Sequence, residues 1–257
     1  MSNLIEIKPD GTHAAVNRAW VPEAPVAFEF NGLAYAVMMA TPADLEDFAI
    51  GFALSEGLAA ATDEVSEIGI AQVEHGWIVR AAVAGLGAEQ LTERVRARVA
   101  ESSCGLCGIE NLAAVAKPLP PVAQHVSIAS AAIFAALSAL RPLQVLNRAT
   151  GAAHAAAFAT SDGSIAVLRE DVGRHNTLDK LIGALARTDQ PLSPGFVIST
   201  ARCSYEIVEK AVRAGATTLV CVSLPTSLAV ERAAAAGLSL WVLARDDSVL
   251  LVNDAGN

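Results

Sequence analysis

From residue 24 the chain alternates apolar and polar positions, with Val26, Phe28 and Phe30 before Asn31-Gly32 and Tyr35, Val37 and Met39 after it. Period-two alternation about an Asn-Gly pair predicts a β-hairpin with a type I′ turn. The period then lengthens. Leu45, Phe48, Ala49 and Phe52 recur at helical spacing as far as Gly57. Thr41-Pro42 reads as an N-cap followed by a first-turn proline, and Asp44 and Glu46 suit the first turn. A second hairpin turning at His75-Gly76 and a charged helix over residues 88–100 follow. Glu56, at the end of its helix, reads as a solvated charge and His75 as a turn residue.

Pro118, Pro120 and Pro121 mark a shift in composition, taken as the boundary between a domain over residues 1–121 and one over 122–257. Beyond it, Ser127 can cap a helix carrying Ile133, Leu137 and Leu140 that ends at Pro142. A hairpin turning at Asp162-Gly163 comes next. Strands near residues 195–199, 218–223 and 238–243 then alternate with a helix carrying Leu178, Leu181, Ile182 and Leu185 and with helices over about 204–214 and 226–236. This alternation predicts an α/β domain with a largely parallel sheet flanked by helices, joined to a smaller α+β N-terminal domain.

Composition narrows the function. The chain has 257 residues, enough for two modest domains, and its formal charge of −9 leaves no basic footprint for a polyanion such as nucleic acid. Residues 1–10 carry acid and proline where a secretory signal needs a basic and then an apolar run, which predicts a cytoplasmic protein. The longest apolar stretch, residues 126–140, falls short of the roughly 20 residues a membrane span needs. In a reducing compartment the four cysteines are expected as free thiols or ligands.

Two of those cysteines stand in Ser102-Ser103-Cys104-Gly105-Leu106-Cys107-Gly108. Glycine after each thiol lets the backbone reach conformations closed to other residues, so each sulfur can swing toward a partner or toward the other. Residues 109–117 read as a short helix stopped by Pro118, and a helix N-terminus near Cys107 favours a thiolate. A structural zinc site would need a second close pair of ligands, whereas the other cysteines, Cys203 and Cys221, stand far apart. A thioredoxin-like pair would lie between a strand and a helix of a βαβ unit. Reactive sulfur is favoured over metal or packing roles, and no bound metal is expected.

Ligands of such sheets bind outside the carboxyl ends of the strands, where helix N-termini offer N–H groups to anions. Three polar loops fall there: Glu170-Asp171-Val172-Gly173-Arg174-His175-Asn176, Ser199-Thr200-Ala201-Arg202-Cys203-Ser204 and Ser223-Leu224-Pro225-Thr226-Ser227. Arg174 and Arg202 could hold phosphates bidentately. Asp171, Ser204 and Thr226 could equally do no more than cap helices. Together the loops point to a phosphate-bearing ligand.

Five segments carry a resemblance to a known family: Thr41-Pro-Ala-Asp-Leu-Glu-Asp-Phe-Ala-Ile-Gly-Phe-Ala-Leu-Ser-Glu-Gly57; the paired-cysteine loop; Thr150-Gly-Ala-Ala-His-Ala-Ala-Ala-Phe158; Glu170-Asp-Val-Gly-Arg-His-Asn-Thr-Leu-Asp-Lys-Leu-Ile-Gly183; and the run from Ala214-Gly215 to Pro225-Thr-Ser-Leu-Ala-Val230. In this order they resemble the formate dehydrogenase accessory sulfurtransferase family, FdhD. The resemblance implies a C-terminal domain like the cytidine deaminases and a homodimer. It also implies a sulfur carrier that takes persulfide sulfur from a cysteine desulfurase and passes it to the molybdenum bis(molybdopterin guanine dinucleotide) cofactor of formate dehydrogenase. The family's reactive cysteines match Cys104 and Cys107, with the persulfide placed on Cys104.

The family's cofactor-contacting segment matches Leu243, Ala244, Arg245, Asp246, Asp247 and Ser248, and GDP is the expected partial ligand, bound through the strand-end loops by Arg174, Arg202 and the helix N-termini there. With the three loops, the cofactor-binding set becomes those six together with Arg174, His175, Arg202, Ser204 and Thr226. Asp246-Asp247 departs from the family pattern, replacing a glycine and a second basic residue, and two carboxylates repel a polyanion unless they point away. Two alternatives stay open: a chaperone that binds the cofactor without moving sulfur, and a zinc deaminase. The deaminase is disfavoured, because Arg174-His175-Asn176, Arg202-Cys203-Ser204 and His154-Ala155-Ala156 lack the acid/base Glu and the full ligand set.

Overall fold

The computed structural model describes residues 2–99, 117–122 and 125–255. β1 (Ser2–Ile7) and β2 (His13–Arg18) pair as a separate antiparallel hairpin, largely exposed, which the alternation pattern does not announce.

β3 (Ala24–Phe30) and β4 (Leu33–Ala40) form the expected hairpin, and Asn31 and Gly32 both take positive φ, 50° and 77°, as a type I′ turn requires. β5 (Val65–Val73) and β6 (Gly76–Val83) complete a four-stranded sheet of order β4-β3-β6-β5, in which β3 and β6 run parallel. A register shift at Phe28/Glu29 reverses the alternation along β4. Tyr35 therefore faces the core with Phe30, while Val37 and Met39 turn to solvent. α1 (Leu45–Ser55) covers the inner face, with Phe28 edge-on to Phe48 at 4.9 Å and stacked on Phe52 at 5.0 Å. α2 (Ala88–Val99) adds Leu91 to this core. Thr41 does not cap α1. Asp44, at φ 53°, occupies the cap position, and Thr41 is engaged elsewhere.

The second sheet has six strands in the order β12-β11-β10-β9-β7-β8: β7 (His154–Thr160), β8 (Ile165–Asp171), β9 (Gly195–Ser199), β10 (Thr218–Cys221), β11 (Ser239–Val242) and β12 (Leu250–Asn253). The β9–β10 and β10–β11 pairs are parallel and the other three pairs antiparallel, so the sheet is mixed. The hairpin at Asp162-Gly163 and the returning β12 bring in the antiparallel pairs. α5 (Arg174–Arg187), α6 (Tyr205–Arg213) and α7 (Ser227–Ala236) cover one face. α3 (Ser130–Leu143) covers the other, with Ile133, Leu137 and Leu140 buried, and leads into the short α4 (Val145–Thr150). Helices on both sides explain why every residue of β9 and β10 is buried. α3 begins after Ala129 rather than at Ser127, and Pro142 lies within its last turn. Leu119 and Val122 pack against the α5–α7 side of this sheet.

α1 and α5 join the two sheets, crossing at glycine. A Cβ on Gly51 would fall 1.7 Å from the Asp179 carbonyl oxygen, and one on Gly183 1.8 Å from that of Asp47. Backbones this close leave room only for hydrogen. Polar side chains ring the crossing. Asp171 accepts from the Thr41 and Gly173 amides, Asn176 and Lys180, and Thr41 in turn accepts from the Val172 amide and from Lys180. Asp47 takes both Arg169 and Arg187.

Candidate functional site

Because β8, β9, β10 and β11 share one direction, their carboxyl ends, and the start of the antiparallel β7, open on a single edge of the sheet. The loops singled out in the sequence lie there, but they do not form one cradle. They divide between two regions.

The first is a cleft of about 330 Å³ between the sheets, lined by Glu56, His175, Tyr205, Glu206, Glu209 and Lys210 among others. His175 Nε2 stands 3.0 Å from Glu206 Oε2, an ion-pair distance without hydrogen-bond alignment. That contact holds the Glu206 carboxyl below its ordinary value. Deeper in, Lys210 donates to Ser55, Glu56 and Asp179. Burial opposes the charge on Lys210, but the Asp179 and Glu56 carboxylates outweigh it and raise its pKa. Glu56 is thus part of an interior ion pair rather than a free surface charge.

The second region, of about 470 Å³, is lined by His154, Thr200, Val222, Ala244, Arg245 and Asp246 from the strand ends and by Leu137, Arg141 and Asn147 from α3 and α4. Leu137, Arg141, Asn147 and Asp246 also line an adjoining cleft of about 780 Å³ that reaches Arg148. Leu243, at φ 49°, begins the turn after β11; the buried Ala244 donates to the Cys221 carbonyl, and the Arg245 amide bonds the Ser248 carbonyl across the turn. The Arg245 side chain donates to the carbonyls of Val222 and Ala244. The two acidic residues behave differently. Asp246 lines both clefts, whereas Asp247 lines neither and accepts from the Ser248 hydroxyl.

Arg174 links the regions electrostatically, its charge acting on both His154 and Glu206, and its Nε is buried with no hydrogen-bond partner among the described residues. Burial, followed by the Arg174 charge, lowers the His154 pKa, keeping the ring neutral near pH 7. Arg202 and Thr226 are exposed and line none of these clefts. Thr226 caps α7 by accepting from the Ala229 amide, while Ser204 stands at the cap of α6 without a capping bond and contacts Glu206 at 3.5 Å. Arg141, Arg148 and Asn147 carry no motif signal in the sequence, His154 stands there only as a disfavoured metal ligand, and the motif residue Glu170 caps α4, accepting from the Leu146 and Asn147 amides.

Cys104 and Cys107 lie outside the described residues. Cys203 and Cys221 are buried free thiols in hydrogen-bond contact, and that bond together with burial holds the Cys221 thiol well above its ordinary value. Cys203 therefore turns into the core rather than toward His175. Among the described residues no group of three or more His, Cys, Asp or Glu side chains is arranged to hold a metal, and no helix is long and apolar enough to cross a membrane.

Fold and edge together define an α/β protein of two main sheets, with a cleft lined by Arg141, Arg245 and Asp246 at the carboxyl ends of its strands. The family model described as FdhD/NarQ matches residues 21–256, and the chain belongs to that family. The sulfur carrier protein FdhD of Variovorax paradoxus is 45% identical over 236 residues, covering 91% of this chain and 85% of that protein. The sulfur carrier protein FdhD of Cupriavidus necator is 46% identical over 218 residues, covering 85% and 76%. In structure, the chain is similar to a crystal structure of a proposed formate dehydrogenase accessory protein from Desulfotalea psychrophila, with a TM-score of 0.73, 22% identity and coverage of 99% and 96%.

Proposed function

We propose that this chain is a cytoplasmic sulfur carrier that takes sulfur from a cysteine desulfurase and delivers it to the molybdenum bis(molybdopterin guanine dinucleotide) cofactor of formate dehydrogenase, working as a homodimer. The observation that carries the reading is likeness at 45% identity over most of the chain to a protein named a sulfur carrier, in a sequence where Cys104 and Cys107 are each followed by glycine. The Cys104 thiolate attacks the outer sulfur of the desulfurase persulfide; that S–S bond breaks, the desulfurase thiolate leaves, and Cys104 carries the sulfane sulfur. Attack by the Cys107 thiolate on the Cys104 sulfur then forms a disulfide and expels hydrosulfide toward the cofactor. The two thiols supply the two electrons this release needs, and a dithiol reductant restores them.

The cofactor is the substrate, and its guanine dinucleotide part suits the cleft at the strand ends, where Arg245 lines the wall and the charge of Arg174 reaches the lining residue His154. GDP, as a fragment of it, is expected to bind there, more weakly as salt is raised. Intact mass after incubation with a desulfurase and cysteine tests the carrier step. A gain of one sulfur, removed by reductant and absent in Cys104→Ser, is expected; no gain in the unaltered protein would refute it.

A further inference from the structure

Asp246 leaves an open question at the strand-end cleft, because it puts a carboxylate where phosphate is expected. The opposite wall answers it. Arg141, in the last turn of α3, and Asp246 line both adjoining clefts; Arg245 lines the first and Arg148, in α4, the second, so the joined space carries three guanidinium groups and one carboxylate. The chain as a whole carries a charge of −9, so composition does not account for such a cluster. Nor are these cations spent on neighbouring acids. Among the described residues Arg141 has no hydrogen-bond or ion-pair partner, and Arg148 gives one N–H to the Pro142 carbonyl at 2.9 Å. Glu170, the acid nearest to α4 in the hydrogen-bond network, has both carboxylate oxygens engaged by the Leu146 and Asn147 amides. It thereby fixes the short helix that presents Arg148.

We propose that Arg141 and Arg148 are diphosphate-binding residues, closing on a nucleoside diphosphate group from the α3–α4 wall while Arg245 holds it from the strand-end wall. The inference rests on the nucleotide reading above and assigns that site two residues the sequence motifs did not mark. Guanidinium is suited to the task because its planar fork can give two parallel hydrogen bonds to one phosphate. Clefts of this size take a nucleotide, and three arginines suffice to outweigh Asp246 beside a diphosphate.

Calorimetric titration of the full chain with GDP, inorganic pyrophosphate and guanosine tests it. Arg141→Ala and Arg148→Ala should each weaken GDP and pyrophosphate binding by about tenfold or more, the loss expected for one charge-assisted contact. Arg141→Lys should recover only part of the loss, Asp246→Asn should tighten binding, and guanosine should be indifferent to all four changes. Arg80→Ala, whose side chain pairs with Glu29 on the N-terminal sheet, is the charge control and should change nothing. If GDP binds, Arg245→Ala weakens it and the Arg141 and Arg148 variants do not, the clamp is wrong and the nucleotide site stands. If the unaltered protein binds neither GDP nor pyrophosphate, the nucleotide site falls and the clamp with it.

Discussion

Lys180 places its ammonium 2.5 Å from Asp171 Oδ2, and both side chains are entirely out of water. Lys180 also donates to the Thr41 carbonyl and lies 5.5 Å from the centre of the Phe48 ring, so one cation from the second sheet's helix is enclosed by elements of the first. Removing one partner of such a pair strands a buried charge. Lys180→Met should cost about 3–5 kcal/mol in urea unfolding. The double variant Lys180→Met/Asp171→Asn should cost less than the sum of the single changes, because the groups share one network.

The glycine crossing of α1 and α5 makes a steric prediction. Gly51→Ala and Gly183→Ala each put a methyl group inside backbone of the facing helix, where no rotamer can relieve it. Each should destabilise by about 3 kcal/mol or more, at the upper end for overpacking. Gly69→Ala, with open space around its Cβ position, should have far less effect in the same thermal melts.

Two groups set a pH dependence of the same sign. His154 has a folded pKa below its ordinary value of 6.5, so as pH falls below about 6.5 the unfolded chain takes up the proton first and stability declines. Glu206 has a folded pKa below its ordinary 4.5; its contribution is present above that value and is lost as pH falls through the folded one. Urea midpoints should therefore fall from pH 7 to 5, and His154→Ala should flatten that part of the curve. Glu206→Gln should lower the midpoint near pH 7 and lose that effect below about pH 4.5, flattening only the acid end of the curve.

Serine cannot hold sulfane sulfur, so Cys104→Ser should abolish activation of formate dehydrogenase while leaving the thermal melt and GDP binding unchanged. Cys107→Ser should still load sulfur on Cys104, visible by mass, yet release it poorly. Cys221→Ser puts a hydroxyl where the thiol is fully buried beside Cys203, and should cost stability but retain sulfur loading. Normal maturation by Cys104→Ser would remove the mechanism.

Much of the secondary structure was legible because its signals are local. The Asn31-Gly32 turn, the apolar stripe of α1 and the alternation from β8 to β11 each follow from periodicity over a few residues. What stayed hidden depends on partners distant in the chain. Thr41 looks like a helix cap until Asp171, 130 positions away, claims its amide. The bulge at Phe28/Glu29 inverts the faces of β4 without leaving a mark on its alternation. Lys180 and Lys210 sit in α5 and α6 at positions that look like solvent-facing charges until α1 covers them. Of the candidate site, the strand-end loops and Arg245 could be found from the α/β pattern and the motif. Arg141 and Arg148 could not, since the two helices that carry them, α3 and α4, reach the clefts from outside the strand-end loops.

Glu170 and Asp171 are neighbours on β8, and side chains of adjacent strand residues leave a sheet on opposite sides. One carboxylate seats the helix that carries Arg148; the other anchors Lys180 and Thr41. Both depend on a single choice of pairing, Ala155 with Glu170 and His154 with Asp171. A slip of β8 by one residue would exchange the two acids, leaving the short helix uncapped and the interior lysine without its counterion in the same stroke. The placement of Arg148 beside the strand-end cleft and the docking of the N-terminal sheet are thus two readouts of one strand register.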